Sequence, residues 1–319
     1  MEFFHKATNF PFMGTRKIWY ALSAVMVIVC FVSFATRGLN LAIDFTGGVS
    51  VEAAYPNTAD VDKIRAGLQA AGFHEPQVQT FGSVRDVAIR LPPQSEGGDA
   101  KAQAEGMTQT RSRIDAVLKA VDPGAEIKRL EVVGPQVGDE LKASAGWALA
   151  FTLLGIFVYI AFRFHTWKLS FGAILAVMHD PILVLGVFSI TQTPFDLAVV
   201  AAILAVIGYS LNDTVVVFDR IRERLETNRR LEPRIVLDQA INQTLSRTIM
   251  TKVVTSIVVV ALLFLGGPVL RGFSEALLIG IVAGTYSSIY ISSALALDCG
   301  LTAEDVFPSK KKSLVDSLP

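Results

Sequence analysis

The residue whose surroundings most demand an explanation is Asp213. It stands in Ile207-Gly208-Tyr209-Ser210-Leu211-Asn212-Asp213-Thr214, inside a stretch from Leu197 to Phe218 that carries no other charge. A carboxylate in hydrocarbon costs about 2.5–3.5 kcal/mol on insertion scales. Such a group holds a proton, pairs with a cation, or alternates between the two. Arg247, which precedes the apolar stretch Thr248–Gly267, is the cation expected to meet it. After it come Thr248, Thr251 and Thr255, a hydroxyl stripe at helical spacing that could carry hydrogen bonds inward. A proton carrier is the preferred reading, against a fixed ion pair that only glues two helices together.

A second polar interruption is His179-Asp180-Pro181, near the middle of the apolar stretch Leu169–Ile190. Pro181 is expected to kink a helix there and free a backbone carbonyl. Asp180, with His179 beside it, reads as a brace for the bundle or as a second titrating site, with bracing slightly ahead. Asn212 and the hydroxyls of Thr248 and Thr251 are candidate supporting groups. Lys252 and Glu275 lie close enough to the ends of their stretches to read as interfacial side chains.

The elements that must position these groups follow from where charge is missing. Hydrophobic residues make up 51% of the 319-residue chain and charged residues only 18%, below the roughly 25% charge of an ordinary soluble domain. Six stretches of 19 to 25 residues are nearly free of charge: Ile18–Thr36, Ala143–Phe162, Leu169–Ile190, Leu197–Phe218, Thr248–Gly267 and Phe273–Leu297. Each is long enough to cross a hydrocarbon core of roughly 30 Å as a helix. The expected fold is therefore an α-helical polytopic membrane protein. Its parts are an N-terminus over 1–17, a first transmembrane helix over 18–36, a polar domain over 37–142, a five-helix region over 143–297 with a cytoplasmic loop at 219–247, and a tail over 298–319.

Lys and Arg set the orientation. With both termini cytoplasmic, sixteen of them fall on the inner side, whereas the short outer segments hold only Arg271. The polar domain then faces outward and Lys310, Lys311 and Lys312 face in. The first stretch is longer than the apolar core of a secretory signal, so a retained anchor is expected rather than a cleaved leader. The loop at 219–247, with Arg220, Arg222, Arg224, Arg229, Arg230 and Arg234 among apolar residues, reads as an amphipathic helix lying on the anionic inner leaflet.

Within the outward domain, alternation and helical spacing give strand, helix, strand, strand, helix, strand: Val49–Ala53, Asp60–Ala71, Val78–Phe81, Val87–Leu91 with a turn at Gly82-Ser83, Ala102–Ala120 and Ile127–Val133. That order predicts a small α+β ferredoxin-like sandwich. His74 there reads as a solvated loop residue. Glycine-bearing junctions bracket the domain, Asp44-Phe45-Thr46-Gly47-Gly48 before it and Gly134-Pro135-Gln136-Val137-Gly138 after it. Gly47, Gly48, Gly134, Pro135 and Gly138 are candidate hinges, with ordinary turn chemistry as the equal alternative. The last apolar stretch carries Ala276, Gly280, Gly284, Ser288, Ser292 and Ala296 at a spacing of four, a small-residue row suited to close helix packing within the chain or against a partner.

Lys plus Arg and Asp plus Glu both number 29. That balance argues against a strongly basic nucleic-acid binder and against a charge-swollen disordered chain. Cys30 and Cys299 lie outside the outward domain, so neither a disulfide nor a Cys-based metal site is expected there. No nucleotide-binding loop or zinc-protease pattern occurs. No enzymatic activity, cofactor or metal is expected, and any energy used must come from an ion gradient or a partner.

Several of these segments together resemble a known family. Asp44-Phe45-Thr46-Gly47-Gly48, Gly134-Pro135 with Gly138 and Glu140-Leu141, His179-Asp180, Ile207–Arg224, Ser246-Arg247-Thr248 and Gly284-Thr285-Tyr286-Ser287-Ser288-Ile289-Tyr290 look like the SecF family of the RND superfamily. The resemblance spans nearly the whole chain, leaving out Pro181 and the residues after Leu297. It implies a multi-pass subunit of the bacterial inner membrane that pairs with SecD and associates with the SecYEG channel. It also implies that Asp213 and Arg247 serve proton-driven movement, while the outward domain holds an emerging unfolded preprotein. The rivals are half of a small-molecule/proton antiporter, for which the outward domain is too small, and a passive scaffold subunit.

Overall fold

In a computed structural model, the described residues are 8–81, 83–92, 100–164 and 166–307. Gly82, the polar loop through Asp99 and the tail lysines 310–312 lie outside them. Among the described residues, six helices are long and apolar enough to cross a membrane. They are α1 (Arg16–Arg37), α5 (Pro135–Arg163), α6 (Trp167–Thr191), α7 (Leu197–Thr227), α8 (Pro233–Leu265), and α9 (Gly267–Tyr286), which continues through a π-helical segment, Ser287–Ser292, into α10 (Ser293–Asp298). Pro181 sits inside α6, which runs on through it.

The domain follows α1. A short helix α2 (Ile43–Thr46) leads into β1 (Gly48–Ala54), α3 (Val61–Ala70), β2 (Gln77–Phe81), β3 (Ser83–Leu91), α4 (Ala100–Val121) and β4 (Glu126–Val133). The strands form one antiparallel sheet in the order β2-β3-β1-β4, the split arrangement that the alternation predicts. One sheet face, with Val51, Ala53, Val87 and Ile89, is sealed by Ile64 and Leu68 of α3 and by Ile114 and Leu118 of α4. The opposite face is polar. Together with the domain-side ends of the membrane helices, it encloses a cavity of about 460 Å³ in whose wall Glu52, Arg90, Arg129 and Glu131 stand.

Two expectations are corrected here. The segment at 219–247 is not a helix lying on a leaflet. α7 and α8 extend past the apolar stretches and meet in a turn at 228–232. Ile221, Leu225, Val236, Leu237, Ala240 and Ile241 are buried in a core that also takes in Phe12, Met13 and Leu301. The apolar stripe of each arm is covered by the other arm, so no lipid surface is needed to cover it. Asp238 further ties the chain before α1 to this hairpin by accepting from Met13 N at 2.8 Å. The second correction is at the domain's exit: α5 begins at Pro135 with Gly134 as its N-cap, so residues 135–142 are the domain-side turns of a membrane helix.

Candidate functional site

Asp213 and Lys252 face each other between α7 and α8, Nζ to Oδ2 2.7 Å apart and both about 5% exposed. The expected partner, Arg247, is exposed on α8 and acts on Asp213 only as a weaker, more distant attraction than Lys252. Five residues separate Arg247 from Lys252, about 140° around a helix at 100° per residue, so the two cannot share a face. α8 also starts 14 residues before Arg247, which leaves Lys252 well within the bundle and removes the interfacial reading of that lysine. Its ammonium lies 4.4 Å from the ring centroid of Tyr209, a favourable cation–π placement. The Tyr209 hydroxyl is hydrogen-bonded to Thr255 Oγ1. At 2.7 Å the ammonium and carboxylate are in charge-assisted contact, and neither atom has another hydrogen-bond partner among the described residues.

The supporting groups divide. Thr248 is buried, while Thr251 donates back to Thr248 O at 2.9 Å and Thr255 to Thr251 O at 2.9 Å. The hydroxyl stripe therefore bonds mostly to its own helix. Asn212 is exposed and away from the pair.

Asp180 occupies a different setting. It is fully buried. Its Oδ2 accepts from Ser210 Oγ and, at 2.9 Å, from Ser287 Oγ. Its Oδ1 lies 3.3 Å from His179 Nδ1, and His179 Nε2 is 2.7 Å from Ser23 Oγ. Four membrane segments thus meet at this carboxylate, with Ser287 opening the π-helical segment, a local widening often found at functional positions. Ser210 lies on α7 three residues before Asp213, so Asp180 of α6 is tied to the helix that carries Asp213. Ser23 is a single hydroxyl in an apolar run, while Ser210 and Ser287 stand in segments the sequence singles out without marking them as partners of Asp180.

The small-residue row faces this chain. A Cβ on Gly280 would overlap Val206 of α7, and one on Gly284 would come 3.2 Å from Ser210 Cβ and 3.4 Å from Asp180 Oδ2. Ser288 is fully buried. α6 comes as close from the other side, since a Cβ on Gly172 would overlap Ser292 O.

At the domain junctions the glycines permit close crossing. Gly47 and Gly48 have φ of +70° and +121°, where other residues are strained. A Cβ on Gly47 would meet Pro135 Cα at 3.0 Å, and one on Gly138 would meet Phe45 O at 2.9 Å and Gly47 N at 3.1 Å. Gly134 alone has open space. The incoming and outgoing segments form a clasp. Beside it, Asp44 Oδ2 accepts from Leu197 N at 3.0 Å, and Asp196 Oδ1 caps α7 through Val199 N at 2.8 Å. Burial pushes the Asp196 carboxyl above its ordinary range, opposed by the Val199 hydrogen bond, and Asp44 adds to the rise. Burial likewise pushes the Arg90 guanidinium down, against the attraction of Asp196 and Asp44. Among the described residues, no group of three or more His, Cys, Asp or Glu is placed to hold a metal ion.

This architecture has close relatives. Residues 113–302 match the family described as protein export membrane protein SecD/SecF, C-terminal, and residues 32–55 match the SecD/SecF GG motif. The chain is 43% identical over 316 residues to protein translocase subunit SecF of Pseudomonas aeruginosa, covering 98% of this chain and 99% of that one. It is 40% identical over 306 residues to the SecF subunit of Escherichia coli O157:H7, covering 96% and 93%. Among solved structures it is similar to SecDF from Thermus thermophilus, described as a translocon-associated membrane protein, with a TM-score of 0.81 and 36% identity. The match covers 92% of this chain and spans 39% of that longer one. By matched families, identity and fold, this chain is a multi-pass membrane protein and belongs to the SecF family of protein translocase subunits.

Proposed function

We propose that this chain works in the bacterial inner membrane as the SecF partner of SecD, using the proton-motive force to assist preprotein export through SecYEG. Both termini are then cytoplasmic and the sandwich domain periplasmic. The names of its relatives support the pairing and the pathway; the observation that carries the energy source is the buried Asp213–Lys252 pair.

A buried ion pair in which neither close atom has a second hydrogen-bond partner among the described residues is sensitive to a single proton. When Asp213 is ionised, it holds α7 against α8 through Lys252. When a proton arrives, Lys252 is left buried over Tyr209 without its counter-charge, and the two helices lose the attraction that set their packing. One charge crossing 100 mV is worth about 2.3 kcal/mol. That is enough to bias a two-state bundle and too little to drive a large unfolding. The packing change then tilts the periplasmic domain, which holds emerging preprotein and limits its return. Arg247, outside the pair, serves as a second cation near the cytoplasmic mouth.

The experiment is preprotein release into the periplasm with the gradient intact and collapsed. Asp213→Asn is expected to insert normally and to abolish the gradient-dependent increment. An increment equal to wild type would overturn the proton-carrier role.

A further inference from the structure

From the contacts at the outer ends of the helices, we infer that the domain stands on two supports, and that the hydrogen bond from Leu197 N to Asp44 is the strut through which α7 moves it. This rests on the proposed proton-driven shift of α7 and names the part that passes the shift outward.

The first support is covalent: β4 ends at Val133 and α5 starts at Pro135, while the other covalent link, to α1, runs through residues 38–42, which belong to the second support. The clasp of Gly47 and Gly138 welds the incoming segment onto that first turn, with Phe45 O and Gly47 N too close to admit a Cβ. A freely bending glycine linker is therefore not what lies between domain and membrane. The second support is non-covalent and lands on α7, the helix that carries Asp213. Phe195 N donates to Asn40 O and Ala42 N to Phe195 O, each at 2.8 Å, pinning residues 40–42 alongside the loop that leads into α7. Asp44 then accepts from Leu197 N, the first N–H of α7, at 3.0 Å. Phe45 stacks on Phe195 with centroids 5.8 Å apart.

α5 presents Trp147, Phe151, Leu154, Val158 and Phe162 outward, whereas α7 is packed in the middle of the bundle, with Val199, Ile203 and Ile207 buried. A shift of α7 along its axis relative to α5 moves one support and not the other. The clasped unit must then rotate as a rigid body. Asp44 is a positioning residue in this scheme, far from the proton.

Leu197 is the first helical residue, where proline is well tolerated and its missing N–H would otherwise be an unsatisfied donor. Asp196 before it is extended, at φ −116° and ψ −179°, as a residue preceding proline requires. Leu197→Pro thus deletes the strut's donor while keeping the helix start and its Asp196 cap. Asp44→Ala deletes the acceptor, and Asp44→Asn keeps an oxygen that can accept.

The test uses the full complex in vesicles, with two spin-label distances read with and without a proton gradient. One runs within the bundle, from Gly208 on α7 to Ile257 on α8. The other runs from Gln69 on the domain to Leu265 at the outer end of α8. In wild type and Asp44→Asn both distances should respond to the gradient. In Leu197→Pro and Asp44→Ala the bundle distance should still respond while the domain distance stays fixed. A domain response that persists in Leu197→Pro, or a wild-type domain that stays still while its bundle moves, overturns the strut. A wild-type bundle that ignores the gradient overturns instead the proposed function on which the strut rests.

Discussion

Asp180 on α6 and Asp213 on α7, the two buried carboxylates among the described residues, both bear on α7, Asp180 through Ser210, and are built in opposite ways. Asp180 is saturated: two serine hydroxyls donate to one oxygen and His179 stands at the other. Asp213 has one close partner among the described residues, Lys252 at 2.7 Å, with Arg247 as a weaker, more distant attraction. A fully satisfied network fixes a unique arrangement, because any change leaves several buried groups unpaired. A bare ion pair has one interaction to lose, and a proton removes it. On the proposed function, the contrast gives holding to Asp180 and switching to Asp213, with Ser210, the α7 anchor of Asp180, one turn from Asp213.

The most disruptive way to break this contrast is Lys252→Met. It leaves Asp213 buried without a counter-charge, with an expected loss of about 3–5 kcal/mol and no gradient-dependent export. Adding Asp213→Leu should restore much of the stability, read by resistance to denaturant in detergent, without restoring the gradient response. If the double variant exports with a gradient-dependent increment, the pair is not the switch. Next in size, Asp180→Ala orphans the Ser210 and Ser287 hydroxyls and should cost about 1–3 kcal/mol. Export per folded molecule should nevertheless keep its dependence on the gradient. A folded Asp180→Ala protein with no such dependence would move Asp180 to the switching side.

Gly280→Ala tests the surface against which α7 moves. Its new methyl overlaps Val206 and should cost about 1–3 kcal/mol by overpacking, with Val206→Ala relieving most of it. The smallest effect is expected outside the membrane, at Asp196. Its raised carboxyl takes up a proton at higher pH in the folded state than in the unfolded one. The wild type therefore gains stability as pH falls through that range and loses it as pH rises. Asp196→Asn, which still caps α7, should be the more stable protein at neutral pH, with the advantage vanishing in acid. Parallel melting curves at both pH values check this.

Much of this was legible before any coordinates. Alternation in Val49–Ala53 and the spacing of Ile64 and Leu68 place the sheet and its covering helix, and a lone acid in Leu197–Phe218 marks Asp213. What the sequence hid has physical causes. Hydropathy ends a membrane stretch at its first charge, so it set the edge of α8 at Thr248 and left Lys252 looking interfacial. The helix in fact begins at Pro233, and only that length shows how deep Lys252 lies. The strut through Leu197 uses a backbone N–H, which no side-chain pattern reveals. The glycines of Asp44-Phe45-Thr46-Gly47-Gly48 were visible, but only the crossing with Gly138 shows that they serve close contact.

The central claim is that Asp213, and not Asp180, takes up the proton. Infrared difference spectra of the reconstituted complex, recorded as the side bearing the sandwich domain is acidified, read the carbonyl stretch of a newly protonated carboxyl directly. The account predicts a band that appears in wild type, disappears in Asp213→Asn and survives in Asp180→Asn. A band unchanged in Asp213→Asn, or lost in Asp180→Asn alone, would contradict it.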